Sequence, residues 1–70
     1  SLVDELFAEE NYNDMLDVLP TRQREILQLH IEGYKNDEIA QSLNVSYNTV
    51  RNTISTSKTK IRVLWSTFMD

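Results

Sequence analysis

The chain contains no cysteine, and only one glycine, one proline and one histidine among its 70 residues. Without cysteine, neither a disulfide nor a thiolate zinc site can staple a small fold. A lone histidine cannot build a metal site, and His30 falls on an apolar helical stripe, where it reads as a core-edge residue. No apolar run approaches the roughly 20 residues of a membrane-spanning helix, and no segment has the form of a signal peptide. A soluble, cytoplasmic chain with no membrane partner is the expectation. Scarce glycine and proline leave few turn clusters, which favours an all-α fold. At this length one small domain is expected, burying about 60% of its unfolded surface, so its core must pack well.

Acidic residues are also missing, but only locally. Residues 1–19 hold Asp4, Glu5, Glu9, Glu10, Asp14 and Asp17 with no base, whereas residues 40–69 hold Arg51, Lys58, Lys60 and Arg62 with no acid. The net charge of −4 therefore hides a segment of +4. A polyanion responds to the local face rather than to the total, so nucleic acid is not excluded.

Helical periodicity organises the rest. Val3, Leu6, Phe7, Met15, Leu16 and Leu19, with acids between them, predict an amphipathic helix over about 3–18, interrupted near Asn11-Tyr12-Asn13. Pro20 breaks the pattern and suits the start of a new helix over about 21–32, with Ile26, Leu27, His30 and Ile31 as its core face. Gly33 stands where a helix-ending residue takes positive φ. A short helix over 36–43 follows, with Ile39, Ala40 and Leu43 on one stripe, and Asn44 is the residue expected to turn left-handed. Ser46 is a capping residue for a long last helix, whose stripe runs Val50, Ile54, Ser57, Ile61, Leu64 and Phe68 and is widened by Trp65. The second half of this helix is expected to pack against the N-terminal apolar residues.

Two helices joined by the short break at Leu43-Asn44-Val45-Ser46, with small Ala40 where their axes approach, form the pattern of a helix-turn-helix. The expected architecture is four helices without a wing, with a long C-terminal recognition helix. It divides into an acidic linker or helix over 1–18 and a helix-turn-helix domain over 19–70, compact as one unit. On the last helix, the face opposite the stripe carries Tyr47, Asn48, Arg51, Asn52, Ser55, Thr56, Lys58, Thr59 and Arg62. Asn pairs bidentately with adenine and Arg with guanine, which nominates Asn48, Arg51 and Asn52 as base readers in double-stranded DNA. Ser46, Tyr47, Ser55, Thr56 and Lys58 are nominated as phosphate contacts. The bland reading of the same residues is a solvated polar face. Arg22 and Arg24 either touch phosphate beside the groove helix or form intramolecular ion pairs.

Nothing in the chain proposes catalysis. Asp37 and Glu38 are adjacent, so their carboxylates point to different sides of a helix. Glu25 and Glu38 read as partners of arginine or of backbone amides, and no histidine is placed to activate Ser46. No catalytic residue, metal ligand, cofactor or small-molecule substrate is expected. Tyr34 and Trp65 read as packing residues.

Leu19-Pro20-Thr21-Arg22-Gln23-Arg24-Glu25-Ile26-Leu27, Glu32-Gly33-Tyr34, Glu38-Ile39-Ala40, Leu43-Asn44-Val45-Ser46 and Thr49-Val50 resemble the C-terminal (region 4) domain of bacterial sigma factors, the extracytoplasmic-function type above all. The resemblance covers about 19–65. It implies binding to the −35 promoter element together with RNA polymerase, and leaves room for an anti-sigma factor. LuxR-type helix-turn-helix domains share the Gly33-x-x-Asn36-x-Glu38-Ile39-Ala40 run and are the close rival. The Leu-Pro entry, the acidic apolar segment ahead of it and the helix continuing past Ile61 favour the sigma type. Lys35 stands where many relatives cap the third helix with Ser, which shifts the expected cap to Asn36. Thr53 and Thr56 stand where many sigma domains have Arg, which implies weak DNA binding by the isolated domain. From another class, the long stripe ending at Leu64, Trp65 and Phe68 suits a protein-interaction surface.

Overall fold

The computed structural model describes residues 16–69, with side chains at 65 and 67–69 outside that description. The helix expected over 3–18 lies almost wholly outside the described residues, as does the contribution of Trp65 and Phe68 to the last stripe. Three helices make up the rest: α1 (Thr21–Ile31), α2 (Asn36–Leu43) and α3 (Tyr47–Met69). Among the described residues there is no strand, and no helix is long and apolar enough to cross a membrane.

The chain enters through a turn in which the Leu19 amide donates to the Leu16 carbonyl at 3.0 Å. Leu16 and Leu19 are buried on the inside of that turn. Pro20 sits at the N-cap of α1 with φ −56° and ψ 154°, and its carbonyl accepts the first helical bond, from the Arg24 amide at 2.9 Å. The fixed φ of proline suits this position, and its missing N–H would have found no helical partner there.

α1 ends as its glycine requires. The Tyr34 amide reaches back to Leu29 and the Gly33 amide to His30, both at 3.1 Å, with Gly33 at φ +99°. This pair of bonds is a Schellman closure, which needs a left-handed residue at that point.

The start of α2 corrects the sequence reading. Lys35, not Asn36, is the N-cap, and Asn36 is the first helical residue. A lysine side chain has no acceptor and cannot cap the amides ahead of it. Glu38 fixes the boundary instead: its Oε1 accepts the Lys35 amide at 2.8 Å. Only half of a capping box is present, and it is the glutamate half.

α2 closes on Asn44, left-handed at φ 56° and ψ 48°, with the Val45 amide bonded back to the Ala40 carbonyl at 3.0 Å. Asparagine tolerates this conformation better than most residues with a Cβ. Three residues, Asn44 to Ser46, therefore separate α2 from α3.

The core draws on every described element. Ile26 and Leu27 of α1, Ile39 and Ala40 of α2, and Val50, Ile54 and Ile61 of α3 join Leu16 and Leu19, with Leu29, Ile31, Leu43 and Val45 packed at the edge. The α3 stripe falls where its spacing predicts, from Val50 to a half-buried Leu64. Ser57, in the middle of that stripe, is wholly buried, and its Oγ has no hydrogen-bond partner. Tyr34 is a second correction. It is 50% exposed rather than packed, because the left-handed Gly33 carries the chain away from the core face of α1.

Candidate nucleic-acid interface

The presentation of α3 begins with its cap. Ser46 Oγ accepts the Thr49 amide at 3.0 Å and donates to Thr49 Oγ1 at 2.8 Å, while the Ser46 carbonyl accepts from Val50 at 3.1 Å. One of the open amides of the first turn is thereby satisfied, and the serine hydroxyl is held in place. Ser46 acts as the cap that its position in the sequence predicts, so its hydroxyl is largely committed within the chain.

Beyond the cap, burial on one side leaves the other side to solvent. Val50, Ile54, Ser57 and Ile61 are buried, whereas Asn48, Arg51, Asn52, Ser55, Thr56, Thr59 and Arg62 are exposed and Lys58 is half-buried. At about 100° per residue, Arg51, Lys58 and Arg62 fall on one line along α3, and at about 1.5 Å per residue that line is about 16 Å long. Asn48, Ser55, Asn52 and Thr59 lie beside it, further round the exposed side. The cations thus flank the two asparagines, an arrangement suited to phosphates at the edge and base edges at the centre. Lys60 projects to the other side of the helix. Thr53 is half-buried and Thr56 exposed.

Tyr47 stands apart from this row. It is 52% exposed and lines an open groove of about 460 Å³ with Asp37, Ala40, Gln41, Asn44 and Val45. It belongs to the seam between α2 and α3, which its place at the first helical residue did not reveal.

Arg22 and Arg24 both have partners within the chain. Arg22 Nη1 lies 3.6 Å from Glu25 Oε2, one turn on in the same helix. Arg24 Nη1 lies 3.7 Å from Asp17 Oδ1, and its Nη2 donates to the Leu19 carbonyl at 3.3 Å. Arg24 therefore ties α1 to the turn ahead of it. Both ion pairs are solvent-exposed, so each contributes little stability. Glu25 pairs within its own helix rather than with a neighbour, and Glu38 caps a backbone amide as its position suggests.

Residues 9–61 match the model of a protein family described as "Sigma-70, region 4". The chain is also 39% identical over 57 residues to the transcriptional regulatory protein DegU of Brevibacillus brevis. That match covers 81% of the chain and 24% of the relative, so the chain spans about a quarter of that relative's length. No solved structure matches the chain. With its capped helix-turn-helix and a family match over most of its length, the chain belongs to the Sigma-70, region 4 family of DNA-binding domains in transcription regulation.

Proposed function

We propose that the domain reads the −35 element of a promoter as part of a sigma factor acting with RNA polymerase. The observation that carries this reading is the exposed face of α3, which has three bases and no acid and sets Asn48 and Asn52 beside the line of Arg51, Lys58 and Arg62. In this reading charge supplies affinity and the helix edge from Ser46 to Asn52 supplies discrimination. Ser55, Thr56 and Lys58 fix the register of the helix on phosphates. The entry through Leu19-Pro20 and the extension of α3 to Met69 favour the sigma type. Thr53 and Thr56, where many relatives carry arginine, make affinity in isolation low, so that firm binding depends on the polymerase complex.

The similarity to a transcriptional regulatory protein supports a second reading, a LuxR-type domain that dimerises on its target. One experiment separates the two. Duplexes are selected from a random pool with the chain, and the mass of the complex on the winning sequence is measured by sedimentation. A monomer on an asymmetric site supports the sigma reading; two copies on a two-fold symmetric site support the LuxR-type reading. A pool with no enrichment at low salt argues against both.

A further inference from the structure

Beside the cation line and the asparagines, α3 has a second exposed edge. At about 100° per residue, Thr49, Thr56 and Lys60 fall within about 40° of one another, on the far side of Asn48 and Asn52 from Arg51 and Arg62. All three are exposed. From Thr49 to Lys60 this edge is about 16 Å long, the same as from Arg51 to Arg62. The asparagines thus run between two parallel edges, and the buried stripe of Val50, Ile54 and Ile61 lies behind them.

The hydroxyl of Thr49 has a set polarity. Its Oγ1 accepts from Ser46 Oγ at 2.8 Å, and Ser46 Oγ in turn accepts the Thr49 amide at 3.0 Å. A hydroxyl carries one proton, so that of Thr49 is left to donate away from the cap. Lys60 has donors only, and no acid stands within four residues of it along the chain. Thr56 adds a second hydroxyl between them. An edge of donors holding one cation suits phosphate oxygens, which are acceptors throughout.

We infer that Thr49, Thr56 and Lys60 contact backbone phosphates of the DNA strand opposite the one held by Arg62, so that α3 straddles the groove between two unlike edges. The inference rests on the DNA-binding reading of α3 and adds Thr49 and Lys60 to its contacts. Size is the physical reason. The major groove is about 12 Å wide and a helix with its side chains about 10–12 Å across, so a seated helix brings both edges against the two phosphate ridges. The two edges then act differently. Arginine neutralises phosphates and releases counterions, which makes its contribution fall with salt. The second edge has one charge, on Lys60, and otherwise binds through hydroxyls, which add nothing to counterion release. Neither edge reads sequence; together they fix the depth and register at which Asn48 and Asn52 meet the bases.

The test uses the 70-residue chain and a duplex selected with it, with affinity followed by fluorescence anisotropy as salt is varied. Thr49→Val is expected to weaken binding about tenfold on every duplex with the salt dependence unchanged, and Thr49→Ser to restore most of the loss. Lys60→Gln is expected to weaken binding about equally across sequences and to make the slope of log affinity against log salt shallower by about one. Duplexes with single phosphates replaced by neutral methylphosphonates locate the contacts. The replacement at which Lys60→Gln costs nothing further is expected on one strand, and that at which Arg62→Gln costs nothing further on the other. Both on the same strand overturns the inference. So do variants at Thr49 and Lys60 that match the parent at every salt concentration, and so does Lys60→Gln losing preference at one base pair, since Lys60 then reads a base. The methylphosphonate scan of the unmutated chain stands even where a variant folds poorly: sensitive phosphates are expected on both strands, and sensitivity on one strand alone overturns the second edge. A parent chain that retains no duplex at low salt sinks the DNA reading and this inference with it, whereas a parent that binds beside unaffected variants sinks the second edge only.

Discussion

Ser57 is the residue at which the core departs most from apolar packing. It occupies the stripe of α3 between Ile54 and Ile61, has no exposed surface, and leaves its hydroxyl without a partner. A buried hydroxyl with no hydrogen bond costs about 1–3 kcal/mol, and alanine is the better helix former by a few tenths more. Ser57→Ala is therefore expected to stabilise the domain by about 1 kcal/mol, seen in thermal unfolding as a midpoint raised by about 4–8 °C. A lowered midpoint would mean that the hydroxyl has a partner, such as a buried water. The spacing of the stripe alone puts Ser57 inside, and its size fits a position where helices approach closely. That its hydroxyl goes unpaired depends on the shapes of neighbours from other helices, which local sequence does not encode. Tyr34 illustrates the same limit. An isolated aromatic after a helix-ending glycine has no periodic partner to say which way it faces, and it faces solvent.

At the scale of elements, boundaries were legible wherever one residue's chemistry decides them. Pro20, Gly33, Asn44 and Ser46 each mark an end of a helix, and each does so by a conformation or hydrogen bond of its own. The start of α2 is the exception, because Lys35 carries no capping chemistry and the boundary is set by Glu38 three residues ahead. The N-terminus of α2 is accordingly half-capped, which leads to a specific expectation. Lys35→Ser supplies the missing acceptor while leaving Glu38 in place, and removes a cation from the positive end of a helix. It is expected to raise stability by about 1 kcal/mol in urea or thermal unfolding, and Lys35→Ala to give little of that gain. Equal effects of serine and alanine would show that the charge, not the cap, governs this end. The paired arginines of α1 belong at this scale too. Sequence left phosphate contact and ion pairing open, and the geometry gives Arg22 a partner one turn away and Arg24 a partner in the entry turn.

For the molecule as a whole, the helix-turn-helix was written plainly in residues 33–54, while the arrangement of its charges was not. Sequence gives the acids and bases their order; only the helical phase of α3 lines up Arg51, Lys58 and Arg62 along one edge of its exposed side. The central claim is that this face of α3 reads DNA, and the most direct measurement is the affinity of Arg51→Ala and of Asn52→Ala for a selected duplex and for its single-base variants. Both side chains are exposed, so the two variants are expected to fold as the parent does. The claim predicts that each loses about 1–3 kcal/mol of binding and relaxes preference at one base pair. Folded variants that bind every duplex as tightly and as selectively as the parent would contradict it.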